Sequence, residues 1–223
     1  PTYQAKAEAL KQCIHKNYYH PEKKSYSTET QIDLIIPMLA KVTPKEEVSH
    51  VENTLYQVTE NRFKGHLSTG LVGIPIITEW AIKNKKADFM YQMLKKRDYP
   101  SYLYMLDNGA TTMWEHWNGE RSHIHNCYNG IGSWFYQALA GIRPDEQAPG
   151  YKHFFIEPQM IESLTWVEAS QNTPYGTIKV RWEKNKQTLN LHITVPNGST
   201  ATLILPNEQI ELTSGTHQVN RNL

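Results

Sequence analysis

The sequence predicts an α+β chain in two domains, a helical part over residues 1–150 followed by an antiparallel β-sandwich over residues 151–223. Three observations carry this. Apolar residues recur at helical spacing as far as Leu139, the spacing changes to alternation after Pro158, and Pro144, Pro149, Gly150 and Pro158 punctuate the chain between the two patterns.

Taken in order, Ala9, Leu10, Cys13 and Ile14 fall on one face of a first helix, and Ile32, Ile35, Ile36 and Leu39 repeat the pattern in a second. Thr43-Pro44-Lys45-Glu46 has the form of a capping box, with a hydroxyl at the N-cap, proline at the first helical position and glutamate at the third, ahead of the stripe Val48, Val51, Leu55 and Val58. A turn bounded by Gly65 and Gly73 leads into a helix over residues 74–82, and a short helix follows over residues 87–94. Ile131, Trp134, Phe135, Ala138 and Leu139 stripe a last helix, stopped by Gly141. About six helices result. In the second part Ile178, Val180 and Trp182 alternate with polar residues, as do Leu189, Leu191, Ile193 and Val195, so each run is a strand with one buried face. Asn197-Gly198 signals a hairpin into the next strand, residues 201–205.

With 23 basic and 22 acidic residues the net charge is +1, which offers no polyanion-binding surface and makes nucleic acid a poor partner. No run reaches the roughly 18 apolar residues of a membrane span. The 10 histidines are scattered. Cys13 and Cys127 lack any metal-ligand spacing, so the expectation is two buried free thiols, no metal and no cofactor. The first residues show no signal-peptide pattern, and a proline directly before an amphipathic helix favours a shortened chain. Localisation stays open: a signal peptide on a longer product would make it periplasmic or extracellular, and otherwise it is cytoplasmic.

The chemistry concentrates in residues 99–117, YPSYLYMLDNGATTMWEHW, where Glu115 stands between Trp114 and Trp117. Indole faces stack on the apolar faces of a pyranose, and an acid held among them is shielded from water, which can raise its pKa toward the range useful for proton transfer. The same pattern also fits a surface acid beside two core tryptophans.

The motif does not stand alone. Residues 65–73 (GHLSTGLVG), the 99–117 stretch, Ser122-His-Ile-His125 and the run 134–142 (WFYQALAGI) resemble, in this order, segments of glycoside hydrolase family 78, the α-L-rhamnosidases. The resemblance covers residues 65–158 well and the tail in pattern only. It implies an (α/α)6 toroid of twelve helices in two rings followed by a C-terminal β-sandwich, of which this chain holds the second half of the barrel and the sandwich. It also implies that Glu115 is the general base of an inverting hydrolysis that releases terminal α-L-rhamnose. The general acid then sits in an Asp- and Glu-rich motif of the first half, and residues 1–61 contain nothing of that form. By the same resemblance His125 hydrogen-bonds the sugar, the alternative being that it caps the start of the Ile131 helix. From the residues themselves, Trp114 and Trp117 are stacking candidates of which one should face the site, though either could anchor the loop in the core, and His66 either reaches the pocket rim or, the better-favoured reading, has a purely structural role. Thr69 and Gly70 are expected to shape the turn, and Asp107 and Glu120 to be solvated.

The implied partners are a rhamnose-containing glycoside, oligosaccharide or polysaccharide and the missing N-terminal half of the same enzyme, without which this chain should be inactive. Two alternatives stay open: a carbohydrate-binding relative without turnover, and another (α/α)6-barrel glycosidase of trehalase-like or glucuronyl-hydrolase-like type.

Overall fold

The structure is a computed structural model that describes residues 2–126 and 128–222; Cys127 lies outside them. The chain divides into two compact units, one of residues 1–81 and 89–131 and one of residues 82–88 and 132–223.

The helical unit opens with α1 (Thr2–Tyr18), followed by a two-residue β1 (Tyr19–His20) paired antiparallel with β2 (Ser25–Tyr26). Next come α2 (Gln31–Leu39) and α3 (Val48–Asn61), which pack together through Leu34, Ile35, Val51 and Leu55. The α4 helix (Gly73–Lys83) and the α5 helix (Ala87–Leu94) add Ile74, Ile77, Trp80, Met90 and Met93 to the core, and a short α6 (Tyr102–Asp107) adds Met105. The sequence pattern leaves α6 unpredicted because six residues are less than two turns, too few to show a period.

Local chemistry corrects several expectations. The capping box forms at Thr30, whose hydroxyl accepts from the Asp33 N–H at 3.2 Å while the Asp33 carboxylate accepts from the Thr30 N–H at 3.2 Å. It does not form at Thr43. Glu47, not Thr43, is the N-cap of α3, because Pro44 to Glu47 close a turn of their own, with the Glu47 N–H on the Pro44 carbonyl at 2.9 Å. The predicted stripe of α1 is uncovered: none of its described residues is buried, and Cys13 is an exposed free thiol rather than a buried one. Ile36, likewise, faces solvent.

A 3₁₀ turn (Asn129–Ile131) leads out of the helical unit, and α7 (Gly132–Trp134) with a π-helical turn (Phe135–Leu139) opens the second. The Ala140 N–H reaches back five residues to the Phe135 carbonyl at 3.1 Å. A wider turn shifts the phase of the side chains. Phe135 therefore points outward while Trp134, Ala138 and Leu139 stay buried.

The sandwich begins at β3 (Ile142–Pro144), ahead of the 150–158 stretch where the sequence places its start, and continues through a 3₁₀ turn (Pro149–Tyr151) to β4 (His153–Ile156). Then follow β5 (Trp166–Thr173), β6 (Gly176–Lys184), β7 (Thr188–Val195), β8 (Thr200–Leu205), β9 (Glu208–Leu212) and β10 (Gly215–Asn222). One sheet has the order β10-β7-β6-β5, all antiparallel, and the other β3-β4-β8-β9, antiparallel except for the parallel pair β4–β8. Alternate residues of both sheets, among them Phe154, Ile178, Trp182, Leu191 and Leu203, interleave in one core. The Trp182 indole N–H donates to the Leu139 carbonyl at 2.7 Å, tying β6 to the π turn. Asn197-Gly198 does make a tight turn, with the Ser199 N–H on the Pro196 carbonyl at 3.1 Å, but it carries the chain from one sheet to the other. No hairpin forms there, since β8 pairs with β4 and β9 rather than β7.

Candidate active site

Three segments of the helical unit wall a cleft of about 640 Å³: the turn 67–71, Tyr99-Pro100, and a loop that supplies Glu115, His116, Trp117, His125 and Tyr128. The first wall is fixed from within. Buried Gln31, at the start of α2, accepts from the Ser68 N–H at 2.9 Å and donates to the His66 carbonyl at 3.0 Å and the Thr59 hydroxyl at 3.1 Å. Thr69 folds back onto Gly73, where a Cβ would sit 1.4 Å from the Thr69 hydroxyl oxygen, so that position has to be glycine. Gln31 went unnoticed in the sequence because a lone glutamine in an apolar helix gives no signal until its three partners converge.

The aromatic wall is a packed stack. Trp117 lies over Tyr128 with ring centroids 4.0 Å apart and planes at 20°, and Tyr102 meets Trp117 edge-on at 5.1 Å. The Tyr102 hydroxyl donates to the Tyr128 carbonyl at 2.8 Å, and burial pushes this phenol far above its ordinary pKa. It stays protonated and structural.

The segment from Met113 to His125 closes on itself. The His125 N–H reaches the Met113 carbonyl at 2.9 Å, the Glu115 N–H reaches the Ser122 carbonyl at 2.8 Å, and the Thr112 hydroxyl donates to the His123 carbonyl. His123 stacks on Trp114 at 4.9 Å, and its Nε2–H donates to the Gly119 carbonyl at 2.7 Å. Gly119 has φ +79°, and a Cβ there would stand 3.0 Å from the Trp114 ring, so the loop needs glycine on both counts.

This folding aims donors at Glu115. Its Oε2 accepts from the Ser122 N–H at 3.3 Å and faces His125 Nδ1 at 3.7 Å; its Oε1 accepts from Arg121 Nη1 at 3.4 Å and lies 3.9 Å from His116 Nε2. The side chain is 24% exposed. The Ser122 N–H, then the Arg121 guanidinium and His125, hold the carboxyl below the usual carboxylate range despite partial desolvation. That reverses the sequence expectation of a raised pKa, because the indoles flank the segment while the donors reach the carboxylate. A carboxyl so placed is ionised at neutral pH and suited to accept a proton. Among the described residues lining the cleft, it is the one carboxylate.

Of the residues singled out in the sequence, Glu115, His125 and Trp117 meet in the cleft, and Thr69 and Gly70 form part of its wall. Trp114 does not reach it: the ring is buried under His123 and supports the loop instead. His66 is buried too, its Nδ1 on the Pro100 carbonyl at 2.9 Å and its Nε2 3.1 Å from Asp98, so it braces Pro100 from behind rather than standing at the rim. Asp107 is paired with Arg97 through bonds of 3.0 and 2.6 Å, and Glu120 is exposed. Arg121 and Ser122 were not foreseen as partners of Glu115. Among the described residues no group of three or more His, Cys, Asp or Glu side chains is arranged to hold a metal ion, and no helix is long and apolar enough to cross a membrane.

Comparison with known proteins places this geometry. The family model of the bacterial α-L-rhamnosidase 6 hairpin glycosidase domain matches residues 1–139, and that of the bacterial α-L-rhamnosidase C-terminal domain matches residues 141–220. An α-L-rhamnosidase of Alteromonas sp. (strain LOR) is 30% identical over 216 residues, covering 92% of this chain and 23% of that protein. One of Formosa agariphila is 31% identical over 223 residues, covering 94% and 24%. The chain thus spans about a quarter of the length of the curated relatives it matches. In structure it is similar to the α-L-rhamnosidase from Dictyoglumus thermophilum, with a TM-score of 0.90 at 25% identity over 100% of this chain and 28% of that one. The fold also matches the Streptomyces avermitilis α-L-rhamnosidase complexed with L-rhamnose, with a TM-score of 0.88 at 23% identity over 99% of this chain and 24% of that one. By the family models that together run through both units, the chain belongs to the bacterial α-L-rhamnosidases, glycosidases with a six-hairpin domain followed by a β-sandwich.

Proposed function

We propose that this chain supplies the general-base half of the active site of an inverting glycoside hydrolase that releases terminal α-L-rhamnose. The observation that carries the proposal is the ionised Glu115 carboxylate beside the Trp117–Tyr128 wall, held by Ser122 and Arg121 in a cleft roomy enough for a sugar ring. In an inverting reaction the carboxylate takes a proton from water as that water attacks the anomeric carbon, and a carboxylic acid about 6.5–9.5 Å away protonates the departing oxygen. Glu115 is the base. His125, 3.7 Å from it, is placed to bond a sugar hydroxyl and to keep the carboxylate negative, and Trp117 offers a flat apolar surface to the ring.

The acid comes from the remainder of the enzyme, which contributes the other helices of the barrel. Supporting this, apolar side chains stand uncovered along the helical unit: Tyr3 is 88% and Ile124 84% exposed, and Leu106 and Ile124 border an apolar groove of about 800 Å³. Surfaces of this kind are interfaces in waiting. The substrate is then a rhamnose-terminated glycoside, oligosaccharide or polysaccharide.

The test is Glu115→Gln in the full-length enzyme with an aryl α-L-rhamnoside. Loss of a general base is expected to lower kcat by about 10²–10⁴-fold with substrate affinity kept. An undiminished kcat removes Glu115 from the reaction.

A further inference from the structure

The sheet β10-β7-β6-β5 has an outer face whose chemistry differs from a merely solvated surface. Across β6 and β7 the outward side chains are Arg181, Glu183, Asn190 and His192, in the register Arg181↔His192 and Glu183↔Asn190, each with planar polar groups. At the free edge of this face, on β5, stands Trp166, 55% exposed; the other five tryptophans are buried or half-buried. The strand's alternation turns Trp166 outward and leaves its ring no share in the sandwich core.

The ring's surroundings are organised. The Arg181 guanidinium lies 5.1 Å from its centroid and is held by Glu168 at 2.6 Å and Glu183 at 2.9 Å. Two carboxylates and one guanidinium thereby share most of their charge locally. Next to the indole is a hollow of about 350 Å³ bordered by Glu183, Lys184, Asn185 and Asn190, with Asn185 fixed by accepting from the Gln187 and Thr188 N–H groups at 2.8 Å each. Its size lies at the small end of ligand sites. A flat π surface beside carboxylate and amide groups is what a neutral pyranose needs, since the sugar presents C–H groups to the ring and neighbouring hydroxyls to polar groups that both donate and accept.

We propose that the Trp166 hollow is an ancillary saccharide-binding site on the sandwich, taking one neutral pyranose unit of a polysaccharide and keeping the enzyme on its polymeric substrate. Trp166 stacks on the ring, while Glu183 and Asn190 bond its hydroxyls. The choice of polysaccharide rests on the function proposed above; the site's geometry does not.

The experiment is affinity electrophoresis of the full-length enzyme through gels containing a neutral rhamnose-bearing polysaccharide, with parallel rates on a small aryl α-L-rhamnoside. Trp166→Ala and Asn190→Ala should each weaken retardation, the former by about three- to tenfold in apparent affinity, as loss of one aromatic contact implies. Both should leave hydrolysis of the small substrate unchanged, and Trp166→Phe should restore part of the retardation. Absence of retardation in the parent enzyme, or retardation of both alanine variants equal to the parent's, overturns the site. The catalytic reading fails separately, by absence of aryl rhamnoside hydrolysis in the parent.

Discussion

Glu115 owes its ionised state to the loop that follows it. With the Ser122 N–H and Arg121 both directed at it, the carboxylate stays ionised further into the acid range than an unperturbed one, so as the base proposed above it should set the acid limb of kcat/KM in the full-length enzyme at lower pH than an ordinary glutamate would. A depressed pKa is a preference for the charged form, and removing a cation weakens that preference. Arg121→Gln should therefore move the acid limb to higher pH; an unmoved limb would show that the guanidinium does not act on the reacting carboxylate. His123 does not line the cleft, yet its stack on Trp114 and bond to the Gly119 carbonyl clasp the loop. As a positioning residue it should show a lowered kcat and a raised acid limb in His123→Ala, with most of the loss recovered in His123→Asn if the hydrogen bond matters more than the stack. The sequence motif singled out Glu115, Trp114 and Trp117, because indoles around an acid are visible as neighbours in the chain, while His125 came from the family resemblance; of the two indoles only Trp117 lines the cleft. The motif could not show that Arg121 and Ser122, six and seven positions on, return to the carboxylate, and for that reason the direction of the pKa shift was missed.

Helices and strands were legible wherever one face is buried along the whole element. Val51 and Leu55 on α3, and the alternating core residues of β6 and β7, fall where periodicity puts them. Expectations failed where a short motif had two possible uses. Thr43-Pro44 reads as a cap, but Glu47 instead binds the Tyr19 hydroxyl at 2.7 Å and Lys24 at 3.1 Å, and the turn before it takes up the cap-like residues. The working capping box at Thr30 gives a direct check: Thr30→Ala should cost about 1 kcal/mol in urea unfolding, and an unchanged midpoint would refute the box. In the sandwich, Trp182→Phe keeps the packing but strands the Leu139 carbonyl, and should cost about 1–3 kcal/mol by the same measurement.

At the scale of the molecule, the order of helices before strands was readable from the change of period after Pro158. The (α/α)6 barrel was not, because helices count themselves in a sequence whereas a ring of helices needs partners from beyond these residues; only the collinear motifs implied it. On the function proposed above, the uncovered stripe of α1 and the apolar groove beside Leu106 are where that context packs. The 223-residue chain expressed alone should release no detectable product from an aryl α-L-rhamnoside that the full-length enzyme cleaves, and measurable turnover by it would place a second catalytic group within these residues. The most direct test of the central claim replaces the base with a small nucleophile. In full-length Glu115→Ala, azide should restore release of the aryl group and form β-L-rhamnosyl azide, the azide attacking the anomeric carbon from the face where Glu115 would activate water. Wild-type rates without azide, or a rhamnosyl azide of retained α configuration, would contradict the account.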